Sequence, residues 1–188
     1  MSLAGLDHRL FREINSVWTC RLFDLIMPIV TDPGKSRLAV GLGAVCLAAW
    51  LWREREKALR TALSAAAAVA AADLLCYRLL KPWIHRLRPE FSESGVILRA
   101  GSHSRFGFPS NHAANAFAAA LVLSLAYPRW RWVFLLSAAT VAYSRIYVGA
   151  HFPADVIGGA VIGAAFGGVI VAASQLRWIV VKSCLWGP

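Results

Sequence analysis

The sequence predicts an all-α, integral-membrane helical bundle: five transmembrane helices, residues 22–30 as a sixth candidate, and an N-terminal amphipathic helix lying at the interface. Three observations predict it. Hydrophobic residues make up 58% of the 188 positions and charged residues only 16%, too little charge to clothe a soluble domain of this size. The apolar residues are bunched into long runs instead of recurring at one surface period. Lys and Arg fall in short clusters between those runs.

The elements follow in order. In residues 6–19, Leu6, Leu10, Ile14 and Val17 recur at spacings of three and four, which predicts an amphipathic surface helix. The acidic and basic residues Asp7, His8, Arg9, Arg12 and Glu13 are unlike a signal peptide, so the chain is expected to keep its first residues. Residues 22–30 are apolar but short and contain Pro28, which favours a dipping or interfacial segment. Five stronger spans cover 37–52, 58–80, 110–127, 131–147 and 154–175. In the last, Gly159, Gly163 and Gly167 recur every four residues and allow close helix packing. Trp18, Trp50, Trp52, Trp130, Trp132 and Trp178 near span ends fit an aromatic belt. One domain results, with 1–36 an interfacial or re-entrant segment and 37–175 the bundle.

The net charge of +10 admits three explanations: nucleic-acid binding, positive-inside topology, or a site for an anion. With no long basic block or basic helical stripe, a nucleic-acid surface is excluded. Arg53, Arg55, Lys57, Arg60, Arg129, Arg131, Arg177 and Lys182 mark one side as cytoplasmic. Lys81, Arg86, Arg88, Arg99, Arg105 and Arg145 break the rule on the other side. Cys20, Cys46, Cys76 and Cys184 have no metal-ligand or paired spacing, and Cys46 and Cys76 read as buried thiols.

Three clusters share that second, outer side. Lys81-Pro-Trp-Ile-His-Arg-Leu-Arg88-Pro89 follows the second span, and Pro109-Ser110-Asn111-His112 opens the third. Ser144-Arg145, His151 and Asp155 bridge the fourth and fifth. Ser110 reads as an N-cap, and the free N–H groups behind it form an anion site. Lys81, Arg88 and Arg145 would surround it, and an arginine fork suits phosphate. Asp155 could orient the imidazole of His151 for attack, leaving His112 to protonate a departing oxygen. One histidine must then start neutral and the other protonated, which predicts a bell-shaped pH profile. As purely structural groups, the histidines and Asp155 would be polar helix caps, and Lys81 and Arg88 snorkelling anchors. Asp73, a carboxylate within an alanine-rich span, is expected to pair with Tyr77 or a neighbouring base. His8, His85, Arg86, Arg99, His103 and Arg105 read as solvated surface residues, the loop members alternatively as a second phosphate or head-group site.

These clusters resemble the signature of the type 2 phosphatidic acid phosphatase family: Lys-x6-Arg-Pro, Pro-Ser-Gly-His and Ser-Arg-x5-His-x3-Asp. The family is related to vanadium haloperoxidases and class A acid phosphatases. The first and third motifs match throughout, and Asn111 replaces the glycine of the second. The resemblance covers roughly residues 73–160. It implies a phosphohistidine at His151 supported by Asp155, with His112 as general acid. It further implies Lys81, Arg88, Ser110 and Arg145 as phosphate ligands, the backbone N–H of Asn111 as another donor, and a reaction without metal or cofactor. The expected substrate is a membrane lipid phosphate or pyrophosphate at the outer face of a bacterial cytoplasmic membrane. Undecaprenyl pyrophosphate, lipid A 1-phosphate and phosphatidylglycerol phosphate are the candidates, the basic loop favouring the first two. A phosphotransferase is the enzymatic alternative, and a transporter or anion channel the non-enzymatic one. The oligomeric state is left open.

Overall fold

The computed structural model describes residues 2–101 and 104–185, with side chains described as far as residue 174. Helix α1 (Leu3–Arg12) starts where the Ser2 hydroxyl accepts from the Gly5 N–H, and runs on into a wider turn, Glu13–Val17. Helix α2 (Arg21–Thr31) contains Pro28. Its 11 residues rise about 16 Å, roughly half a hydrocarbon core, so it does not cross one.

Helix α3 (Arg37–Leu74) is broken at Arg55, whose φ of 39° and ψ of −110° are not helical. Lys35 before its first half and Lys81 beyond its second line the same cavity, so the chain doubles back at Arg55. The break falls in the Trp-Arg-Glu-Arg-Glu cluster expected to separate the first span from the second. A wide turn, Leu75–Leu80, leads into α4 (Lys81–Ile84), which ends at His85 in the left-handed region (φ 54°).

After α5 (Pro89–Ser92), a loop is pinned back by an isolated bridge between Leu87 and Phe106. Then come α6 (Asn111–Ala126), α7 (Arg131–Tyr147) and α8 (Pro153–Leu185). Among the described residues there is no strand. Arg37–Ile84 and Pro153–Ser174 are long and apolar enough to cross a membrane, and α6 is a shorter apolar helix.

Helix α6 is the centre of the bundle, packed against α3, α7 and α8. Ala113, Ala114, Ala118 and Ala120 are buried on it, and Ala68 and Ala72 face it from α3. The glycines of α8 lie directly on it. A Cβ added at Gly163 would sit 2.0 Å from the Ala114 carbonyl oxygen, and one at Gly159 2.3 Å from that of Ser110. Small residues thus bring the backbones into contact, as the spacing predicts, and dispersion across that seam holds α8 to α6. Trp18, Trp52, Trp130 and Trp132 are exposed near helix ends, as a belt requires. Cys76 is buried, but Cys46 is exposed on the outer face of α3, a correction to the expected buried thiol. Its apolar run faces outward, where lipid rather than protein would cover it. His103 and the side chains of Arg177, Trp178, Lys182 and Cys184 lie outside the described residues.

Candidate active site

At the end of the bundle where α3, α6 and α7 meet the N-terminal segment, a cavity of about 440 Å³ is lined by Lys81, Arg88, Asn111, His112, Arg145 and His151, and also by Thr31, Asp32, Lys35 and Asp73. The three sequence clusters therefore converge. Different elements deliver them: α4 and the loop behind it, the first turn of α6, the last turn of α7, and the connection into α8.

His151 is almost wholly buried and Asp155 completely so. Pro153 opens α8, which sets Asp155 one turn above His151. The Asp155 Oδ2 lies 3.6 Å from Nδ1 of His151, close enough for charge attraction but beyond a hydrogen bond, and Nδ1 has no hydrogen-bond partner among the described residues. Oδ2 accepts instead from the Phe152 N–H at 3.0 Å. On the other side of the ring, Arg88 Nη1 donates to Nε2 at 3.2 Å. Burial, with the charges of Arg88, Arg145 and Lys81, holds the imidazole pKa well below its ordinary 6.5, so the ring is neutral.

Lys81, Arg88 and Arg145 are all buried. Among the described residues their hydrogen bonds go to neutral groups. Lys81 Nζ and Arg88 Nε reach the Phe106 carbonyl at 3.5 and 3.3 Å, and Arg88 Nη1 that of Ala150 at 3.1 Å. Arg145 Nη1 donates to the Thr31 hydroxyl at 2.8 Å, and its buried Nε has no partner among the described residues. Three buried cations whose described hydrogen bonds all go to neutral groups make a strongly positive pocket that a multivalent anion would neutralise.

His112 stands exposed on the cavity wall, one residue into α6. Ser110 is different: it is fully buried behind the wall. Its hydroxyl caps the helix at Ala113 N (3.5 Å), and its own N–H donates to the Asp155 carbonyl at 2.9 Å. The Asn111 amide donates to Asp73 Oδ1 at 2.7 Å, and that of Asn115 donates to the same oxygen at 3.1 Å. Asp73 is thus held by two amides, in place of the expected Tyr77 or base.

Three further corrections concern residues expected at the surface. Arg86 bonds Asp155 Oδ1 at 2.8 Å and also pairs with Asp7. Arg99 pairs with Asp24 at 2.6 Å and bonds the carbonyls of Asn15 and Tyr147. His8 pairs with Glu93, which Arg12 also holds. His85 is exposed, as expected, with its ring edge-on to Phe106. The acids of α1 and α2 therefore neutralise surplus bases of the 81–109 loop and draw the N-terminal segment over the site. Asp7 and Thr31 escape a sequence reading because their partners Arg86 and Arg145 lie 79 and 114 residues away. The one available signal is unmatched acid and base on one side of the membrane.

The fold and cavity define a helical protein of membrane character with a buried, cationic anion pocket beside a His–Asp pair. The chain belongs to the PAP2 superfamily, whose profile matches residues 61–179. It is 39% identical over 118 residues to a lipid A 4'-phosphatase of Bacteroides thetaiotaomicron, covering 59% of this chain and 52% of that protein. It is 31% identical to a lipid A 1-phosphatase of Rhizobium etli over 84% of this chain and 80% of that one. To an undecaprenyl-diphosphatase of Sulfolobus acidocaldarius it is 28% identical over 85% and 74%. The chain spans about half the length of the Bacteroides protein and of a lipid A 1-phosphatase of Rhizobium johnstonii. The crystal structure of Aquifex aeolicus LpxE superposes with a TM-score of 0.69 at 29% identity, over 89% of this chain and 95% of that one. A transmembrane PAP2-type phosphatidylglycerolphosphate phosphatase of Bacillus subtilis has the same fold, with a TM-score of 0.63 at 23% identity, over 92% and 86%.

Proposed function

We propose that this protein is a membrane lipid phosphatase that cleaves a phosphomonoester or pyrophosphate through a phosphohistidine on His151, without a metal. The observation that carries the reading is the neutral His151, its Nε2 turned toward three buried cations in one cavity. A phosphoryl group entering there takes over the donors of Arg88, Arg145 and Lys81. Nε2 attacks phosphorus as the bond to the leaving oxygen breaks, and His112 gives that oxygen its proton. Asp155 stabilises the positive imidazole. Water, deprotonated by His112, then breaks the P–N bond and releases inorganic phosphate.

The names of the relatives support a lipid substrate and make undecaprenyl pyrophosphate, lipid A 1-phosphate and phosphatidylglycerol phosphate the compounds to try first. In our reading five helices cross the membrane: the two halves of α3, then α6, α7 and α8. The cavity then opens at the outer face, with the Arg53–Arg60 and Arg129–Arg131 clusters in the cytoplasm. The lipid chain stays in the bilayer while its head group meets the cations. The test is phosphate release from each lipid by detergent-purified protein in EDTA. Turnover that His151→Ala abolishes is expected; a strict metal requirement, or an active His151→Ala, would refute the mechanism.

A further inference from the structure

The N-terminal helix does more than lie at the membrane surface. Asp7, on the buried face of α1, accepts from the Ala154 N–H through Oδ1 at 2.8 Å and pairs with Arg86 Nη2 through Oδ2. Arg86 Nη1 in turn donates to Asp155 Oδ1 at 2.8 Å. Ala154 and Asp155 are adjacent in the first turn of α8, so these three links close a ring: α8 backbone, Asp7, Arg86, Asp155. The ring is packed as well as bonded. The Arg86 guanidinium lies 4.8 Å from the Phe152 ring, which His8 and Phe11 of α1 also touch. Opposite, Gly107 approaches so closely that a Cβ there would sit 2.8 Å from Asp155 Oδ2.

We propose that Asp7 and Arg86 are positioning residues for catalysis, fixing Asp155 so that Oδ2 faces His151 Nδ1. Asp155 is buried away from solvent, and among the described residues Arg86 is the one guanidinium within bonding distance of it. Arg86 therefore keeps it charged and selects its rotamer. Arg86 has a long, flexible side chain that its loop alone could not hold still, and Asp7 supplies the second point of attachment. Because Asp7 also bonds the helix that carries Asp155, the distance between anchor and carboxylate is set by rigid backbone. Charge then builds on the imidazole as phosphorus is attacked, opposite a carboxylate already in place. A role confined to docking α1 would need the Asp7–Ala154 bond and the aromatic packing, but not the charge on Arg86.

That difference supplies the test, which rests on His151 and Asp155 being the reacting pair. Asp7→Asn retains an oxygen for the Ala154 N–H but loses the ion pair, and Arg86→Gln removes the same link from the other end. In phosphate-release assays each should lower kcat about tenfold at unchanged KM in protein that stays folded in detergent, with Tm lowered more by Arg86→Gln, which leaves two buried carboxylates unpaired. The double variant should be no slower than the slower single, since both break one chain. Asp7→Glu and Arg86→Lys, which keep the charges, should recover part of kcat. Native kcat in either neutral variant, multiplicative losses in the double, or a change in KM alone would overturn the proposal. His151→Ala, run alongside, separates the failures. If it stays active the reacting pair is wrong; if it is dead while Asp7→Asn is native, only the positioning role falls.

Discussion

Arg88 Nη1 lies 3.2 Å from Nε2 of His151, and that contact fixes the tautomer of the ring. A guanidinium can only donate, so Nε2 must present a lone pair and the proton rests on Nδ1, toward Asp155. The ring is thereby aimed with its basic nitrogen into the cationic cavity.

Replacing Arg88 with lysine keeps the charge and loses the fork. The contacts to Phe106, Ala150 and His151 come from two different guanidinium nitrogens. An ammonium cannot span them, so kcat/KM is expected to fall about a hundredfold, as for loss of one transition-state donor. Steady-state phosphate release measures it, and a variant within about threefold of native would show that charge alone suffices.

The depressed pKa of His151 has a sign that can be checked. The reactive form is neutral, so lowering the pH from about 7 to about 6 should leave attack undiminished by this residue, and the acid limb of kcat/KM should fall below the ordinary 6.5. Stability runs the other way. Below its ordinary pKa the unfolded chain binds a proton that the buried ring refuses, so the folded state loses stability as pH falls. Replacing His151 with Gln should flatten that acid-side decline in Tm; an unchanged slope would assign it to other groups.

Thr31 is expected to act on binding. Its hydroxyl accepts from Arg145 Nη1 at 2.8 Å and from Ser144 at 3.1 Å, both buried. Thr31→Val leaves the arginine charge without that partner. KM should rise about fivefold, corresponding to the ~1 kcal/mol of a typical hydrogen bond, with kcat little changed. A fall in kcat at constant KM would place Thr31 in the chemical step instead.

What is legible in the sequence divides by range. The helices, the turn at the Arg55 cluster, the glycine seam of α8 and the convergence of Lys81, Arg88, Arg145, His112 and His151 follow from periodicity and local spacing. Ser110 reads as both cap and phosphate ligand; only the cap is visible in the geometry, because its side chain lies behind the wall. Arg86 and Arg99 read as solvated because no local spacing ties them to the acids they meet. Their partners, Asp7 and Asp24, are 79 and 75 residues upstream, and only the fold brings those helices over the loop.

The α6–α8 seam gives a stability prediction with an internal control. A Cβ at Gly163 meets backbone at 2.0 Å, whereas one at Gly168 meets only Leu121 Cδ2 at 3.8 Å. Gly163→Ala should cost about 1–3 kcal/mol and lower Tm in detergent, while Gly168→Ala should be near neutral. Equal effects would contradict the close approach.

If His151 carries the phosphoryl group, the covalent species can be trapped directly. The measurement is a rapid quench into base of enzyme turning over a lipid that bears a radiolabelled terminal phosphate. The predicted result is protein-bound label that is stable to base and lost in acid, mapped to the peptide containing His151 and absent from His151→Ala. Turnover by the native enzyme with no protein-bound label at any quench time within the first turnover would contradict it.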